Sequence, residues 1–239
     1  MLRNLLLIAL LFTYLFSSAQ DNNPKKNVLN EQSVVRGEDG LVYPYQVWKK
    51  LMATGKYGLR DRKTKTESGK PEYVIVELTQ SQKVAYFENI TKPTPSDVFM
   101  LDQVFTGVKV TDMNGQKFDL RNLDGKTLVL NFWFIGGNTG KMLIPQLNDL
   151  FDEFRDNKNV VFLSICNNDK NQIKDFLKET PFKFNIVDDA RNIAEKYNVK
   201  RYPTTVVIDK NNQIKFSSLG VSSSTGYWIK KAIDESLVR

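Results

Sequence analysis

The run Leu128-Val129-Leu130-Asn131-Phe132-Trp133-Phe134 constrains this chain more than any other stretch. It lacks the alternation of a half-exposed strand, and it predicts a central strand covered on both faces. A strand of that kind needs neighbouring strands and helices above and below it. The downstream sequence supplies them in order. Leu143, Leu147, Leu150, Phe151 and Phe154 mark an amphipathic helix that contains Pro145. Val160 to Cys166 reads as a second buried strand. Ile173, Phe176 and Leu177 mark another helix. Ala190, Ile193, Ala194 and Tyr197 mark a short one, with Asp188 expected as its cap. Thr204 to Ile208 and Ile214 to Leu219 are strands joined by the turn Lys210-Asn211-Asn212-Gln213, and Thr225 to Leu237 closes the chain as a helix. Before the central run, Val108 to Val110 and Lys117 to Leu120 flank Asn114-Gly115, a hairpin signal. The order is β-β-β-α-β-α-α-β-β-α, which predicts an α/β fold: a mixed central sheet with helices on both faces.

The first hundred residues are of a different kind. Arg3, the apolar run Leu5 to Phe16 and the small residues Ser17-Ser18-Ala19 form a secretory signal pattern, residues 1–19, with cleavage expected after Ala19. No Cys follows that point, so lipid attachment there is excluded. No later stretch is long and apolar enough to span a bilayer. The chain is therefore expected to be exported, periplasmic or secreted. Residues 20–35 read as a flexible leader. Residues 36–100 read as a small α+β N-terminal extension: a helix over Pro44–Thr54, a polar loop over Arg60–Pro71, a short strand at Tyr73–Val76, and a helix over Ser81–Ile90 with Thr79 as its cap. Lys92-Pro93-Thr94-Pro95 reads as a linker into the 104–239 domain. The net charge of +7 is spread along the chain. The cluster Arg60, Arg62, Lys63, Lys65 and Lys70 lacks interleaved aromatics and reads as a solvated loop, so nucleic acid is not an expected partner.

Composition then narrows the chemistry. The chain has one Cys and no His. That excludes imidazole general bases, Cys/His zinc sites and any intramolecular disulfide or two-thiol redox pair. No metal and no cofactor are expected.

The 104–239 segment resembles thioredoxin-like proteins of the exported TlpA type, related to the alkyl hydroperoxide reductase/thiol-specific antioxidant group (AhpC/TSA). The resemblance rests on Val110-Thr111-Asp112-Met113-Asn114-Gly115-Gln116-Lys117-Phe118, Leu123-Asp124-Gly125-Lys126, Val129-Leu130-Asn131-Phe132-Trp133, Ile144-Pro145-Gln146-Leu147-Asn148 and Tyr202-Pro203-Thr204-Thr205-Val206-Val207-Ile208-Asp209. It implies a thioredoxin-like fold and thiol-disulfide exchange by a Cys-x-x-Cys at the start of the Pro-containing helix. There the helix amides and dipole stabilise a thiolate, and a second thiol resolves the mixed disulfide. At that place this chain reads Trp133-Phe134-Ile135-Gly136-Gly137-Asn138-Thr139-Gly140-Lys141. Alignment on Trp133 and Pro145 puts Gly137 and Gly140 where the two Cys belong, so no catalytic residue is expected.

Three readings of this loop follow. In the first, the domain binds a protein or peptide segment of the cell envelope without catalysis. The surface would be Trp133, Gly136, Gly137, Asn138, Thr139, Gly140, Tyr202 and Pro203. Pro203 matches the family's cis-proline, and the backbone at Tyr202 can pair with an extended peptide. In the second, Gly136 to Gly140 imitates a phosphate loop. Its spacing is one residue short and Met142 replaces the metal-binding hydroxyl, which leaves only a small anion held by the amides of Asn138, Thr139 and Gly140, or a simple helix cap. In the third, Cys166 is a redox thiol at the end of a parallel strand, where sites often form. The plainer alternative for Cys166 is a small buried hydrophobe. Asp188-Asp189 reads as a helix start, and Trp48 and Trp228 as core.

Overall fold

The computed structural model describes residues 29–136 and 138–238. The signal segment 1–19 and the leader up to residue 28 lie outside the described residues. The N-terminal unit is a three-stranded sheet with two helices. Its elements are β1 (Val34–Arg36), α1 (Tyr45–Ala53), β2 (Tyr57–Lys65), β3 (Pro71–Glu77) and α2 (Gln80–Asn89). Strand order is β1-β3-β2, with β1 parallel and β2 antiparallel to β3. Val35, Ile75 and Trp48 form its small core. The start of α2 follows from its sequence. The Thr79 side chain accepts from the Gln82 amide and the Gln82 side chain accepts from the Thr79 amide, a reciprocal capping box.

Three expectations for this region change. Val34 and Val35, the end of the expected leader, form strand β1 together with Arg36, and Val35 is completely buried. Half of the expected loop from Arg60 to Pro71 belongs to β2, Pro71 begins β3, and only residues 66–70 lie between the strands. β2 is an edge strand whose outer half is exposed on both faces, so it carries no apolar alternation to read. The expected linker is a strap laid along the large sheet. The Leu219 amide donates to the Thr94 carbonyl (2.7 Å), the Ser96 amide to Ser217 Oγ (3.2 Å), and the Asp102 amide to the Ile214 carbonyl (2.8 Å).

The second unit comprises β4 (Lys109–Thr111), β5 (Lys117–Asp119), β6 (Thr127–Trp133), α3 (Asn138–Phe154), β7 (Val160–Cys166), α4 (Lys170–Glu179), β8 (Asn185–Val187), α5 (Arg191–Lys196), β9 (Thr204–Ile208), β10 (Ile214–Leu219) and α6 (Thr225–Val238). Its five-stranded sheet has the order β10-β9-β6-β7-β8. β6, β7 and β8 are parallel, β9 runs antiparallel to β6, and β10 runs antiparallel to β9. All of β6 is buried, as its sequence requires. Leu128, Leu130 and Phe132 face α5, the β4–β5 hairpin and the strap, whose Phe99 and Phe105 join that core. Val129 and Trp133 face α3, α4 and α6. The mixed sheet with helices on both faces is thus present. β8 was not expected, because three residues show no period. α5 begins after Ala190 with no side-chain cap, which corrects the role expected of Asp188; Asp189 instead turns the chain with φ +45. Trp48 and Trp228 are buried, as expected.

The two units touch through Phe87 of α2 and Tyr227 of α6, whose rings stack at 4.8 Å. Lys56 pairs with Asp149 of α3 at 2.7 Å, and Lys231 with Glu88. Two substitutions test the packing. Leu147→Ala, at a completely buried position, should cost about 3 kcal/mol. Thr79→Ala should cost about 1 kcal/mol through its cap. Urea denaturation reads both, and a cost at Leu147 no larger than at Thr79 would contradict the core described.

Candidate functional site

The chain leaves the buried end of β6 at Trp133. The register pairs Trp133 with Cys166, and the indole Nε1 donates to Ser164 Oγ. Trp133 is almost fully buried. It is a pillar under the loop and not part of a binding surface, which corrects its expected place. A large apolar ring beside helices α3 and α4 is worth more in the core than exposed.

Beyond it, Phe134 turns outward and is 40% exposed. Its ring meets Tyr202 edge-on, with centroids 5.5 Å apart. The Ile135 amide donates to Asn168 Oδ1 at 2.7 Å, which ties the loop to the end of β7. Gly136 adopts φ +125, a conformation that side chains disfavour. Gly137 and the side chains of Asn138 and Thr139 lie outside the described residues. Helix α3 starts at Asn138, and Gly140 is buried within its first turn. Among the described residues, a Cβ built on Gly140 would meet only the Phe134 carbonyl oxygen, at 3.8 Å, an ordinary contact. Met142, one turn from the helix start, is 63% exposed.

Tyr202 and Pro203 flank this loop, and their peptide bond is cis. The Pro203 carbonyl accepts from the Gly220 amide at 2.7 Å. The Tyr202 hydroxyl accepts from Asn167 Nδ2 (2.9 Å) and donates to the Val199 carbonyl (3.2 Å). Neither the amide nor the carbonyl of Tyr202 has a hydrogen-bond partner among the described residues. An unpaired amide and carbonyl of this kind can bond to water or to an added strand.

Cys166 ends β7 with no exposed surface and packs in the core with Trp133. Burial pushes its thiol up to about 11; the Asn168 backbone opposes this and Asp188 adds to it. A reactive thiol needs access and a depressed pKa. Cys166 has neither, so the structure gives it the environment of a buried hydrophobe. No group of three or more His, Cys, Asp or Glu residues suited to a metal occurs among the described residues.

The structure thus brings Gly136, Gly140, Tyr202 and Pro203 to one end of the sheet, and sets Trp133 and Cys166 beneath them. Sequence reasoning missed Phe134, Met142, Asn167 and Asn168. Phe134 was hidden as the last residue of an apolar run. The two Asn are loop residues whose role exists only once β7 lies beside β6.

This fold and site define a thioredoxin-like domain. A model of the AhpC/TSA family matches residues 101–217. The thiol-disulfide oxidoreductase ResA of Bacillus cereus is 28% identical over 112 residues, which is 46% of this chain and 65% of that protein. The thioredoxin-like protein YneN of Bacillus subtilis is 29% identical over 110 residues, 45% of this chain and 65% of that one. The chain therefore spans slightly less than two thirds of these relatives. Among solved structures, a candidate thiol:disulfide interchange protein DsbE from Chlorobium tepidum aligns over 58% of this chain and 99% of that one, with TM-score 0.52 and 18% identity. A candidate protein disulfide isomerase from Bacteroides thetaiotaomicron aligns over 61% and 95%, with TM-score 0.54 and 17% identity. The chain is thus similar to the AhpC/TSA family over residues 101–217, and its second unit has a thioredoxin-like fold.

Two measurements check the thiol. In native protein at pH 8, Cys166 should resist a disulfide reagent and react only in denaturant, since about one thiol in a thousand is ionised when its pKa is three units above the pH. The pH dependence also has a sign. An acid whose folded pKa is raised stabilises the fold below its unfolded pKa and loses that contribution as pH climbs toward the folded value. Stability should fall between about pH 9 and about pH 11 by on the order of 2 kcal/mol more in the parent than in Cys166→Ala.

Proposed function

We propose that this is an exported thioredoxin-like protein that does not exchange disulfides and instead holds an extended protein or peptide segment over its glycine loop. The observation that carries the reading is the position of the only thiol. The sequence has a single Cys, and it is sealed in the core beneath the loop. On this reading Gly137 and Gly140 occupy the positions of the family's thiol pair, and neither can attack a disulfide. What stays is recognition. The unpaired Tyr202 backbone would bond the segment in the manner of an added strand, and exposed Phe134 and Met142 would take its apolar side chains. Export rests on the pattern of residues 1–19. Among the described residues no helix is long and apolar enough to cross a membrane.

Insulin reduction separates binding from catalysis. The protein and its Cys166→Ser variant should both leave the dithiothreitol rate unchanged, and turnover that depends on Cys166 would overturn the reading. The double change Gly137→Cys with Gly140→Cys should create a reducible disulfide and measurable insulin reduction, because the first turn of α3 has room at Gly140. A fluorescent library of extended peptides then tests recognition. Phe134→Ala and Met142→Glu should each weaken the selected peptides by about tenfold, or 1.4 kcal/mol. Equal affinity in all three proteins would remove this surface from the proposal.

A further inference from the structure

A cavity of about 580 Å³, away from the glycine loop, opens between the strap, β10 and α6. Phe216, Trp228 and Ala232 form an apolar floor, with exposed Leu101 and with Pro93 and Pro95 beside it, and Thr91, Thr94 and Ser217 also line the cavity. Its rim carries Lys92, Lys215 and Lys231 against one acidic residue, Glu235. Glu235 sits four residues after Lys231 on α6, where helical neighbours of opposite charge interact. Two of the three ammonium groups already have acidic partners outside the cavity. Lys215 Nζ lies 2.9 Å from Asp102 and 3.9 Å from Asp209, and Lys231 bonds to Glu88. Lys92 bonds to no carboxylate among the described residues, although its charge acts on Glu88, the partner of Lys231. Its Nζ stands 4.5 Å from the centre of the Trp228 ring, with Lys231 Nζ at 4.9 Å from the same ring.

The size lies in the range of small-molecule sites, about 300–1,000 Å³. An inorganic anion would satisfy Lys92 and leave the apolar floor wet. A neutral hydrocarbon would cover the floor and exclude water from an ammonium that has no carboxylate bonded to it, which is costly. Only a ligand with both parts meets both surfaces. We propose that this cavity binds a single-chain anionic amphiphile of the long-chain carboxylate class. Its chain lies on Leu101, Phe216 and Trp228, and its carboxylate meets Lys92. The site is independent of the peptide surface proposed above.

Calorimetric titration of the purified protein with dodecanoate, below its micelle concentration, tests this. One saturable site is expected. Butyrate, which lacks the chain, and dodecyl maltoside, which lacks the charge, should each bind at least about tenfold more weakly. Lys92→Glu and Leu101→Glu both change exposed side chains. Each should weaken dodecanoate by at least about tenfold with an unchanged circular dichroism spectrum, while Lys92→Arg retains it. Four results would overturn the proposal: no saturation, equal affinity for the neutral amphiphile, variants that bind like the parent, or attachment to phosphatidylglycerol vesicles without binding of monomeric dodecanoate.

Discussion

The burial of β6 on both faces and along both edges is the constraint from which the rest of the domain follows. Each peptide group in such a strand is cut off from water and must find its partner in β7 or β9. Only one polar side chain lies in its middle, Asn131. Its Nδ2 donates to Thr205 Oγ1 at 2.9 Å, so the penalty of about 1–3 kcal/mol for an unmet buried group does not arise. Because β6 is pinned on both sides, its end is fixed as well. Trp133 must turn inward, where Ser164 receives its N–H, and Phe134 must turn outward. The glycine loop therefore starts from a rigid point, and Asn168 of the adjoining loop holds it at Ile135.

What could be read from the sequence follows the same physics. Long buried elements declare themselves through continuous or periodic apolar residues, which is why β6, β7, α3 and α6 were legible. Elements whose stability comes from neighbours were not. β8 is three residues long and exists by pairing with β7. β2 is charged along its outer half, since an edge strand has few buried positions. The strap looked like a linker because two prolines forbid regular structure, yet irregular chain can still bond an edge. At the site, Gly136, Gly140, Tyr202 and Pro203 could be located by the family resemblance and its spacing. The inward turn of Trp133, and the service of Asn167 to Tyr202, depend on strands meeting in space.

The attachment of the N-terminal unit also has an order of importance. Its ion pairs to the second unit, Lys56 to Asp149 and Lys231 to Glu88, involve exposed groups whose worth is about 0–1 kcal/mol each. The Phe87–Tyr227 stack removes a large apolar ring from water, since Phe87 is buried. The strap adds backbone bonds and inserts Phe99 and Phe105 into the core under β6. The unit is thus held mainly by packing and by its continuation into the large sheet, with charge as a minor contributor.

That continuation bears on recognition, because a sheet edge pairs with any strand that reaches it. The β10 edge is occupied by the strap, through Thr94, Asp102 and Gln103. The opposite edge, β8, is short, and the Met113 amide of the β4–β5 turn donates to its Ile186 carbonyl at 2.7 Å. In the smaller sheet, β2 carries Arg60, Asp61, Arg62, Lys63 and Lys65, charges of the kind that discourage pairing. The fold therefore guards its edges by three different means: covering chain, brevity and charge. Tyr202 has none of these. Its backbone groups lie unpaired beside an exposed Phe134, next to β9 and at the mouth of the glycine loop. An extended segment approaching this protein meets blunted edges at β10, β8 and β2 and unpaired backbone at Tyr202, which is the physical support for proposing recognition at that point.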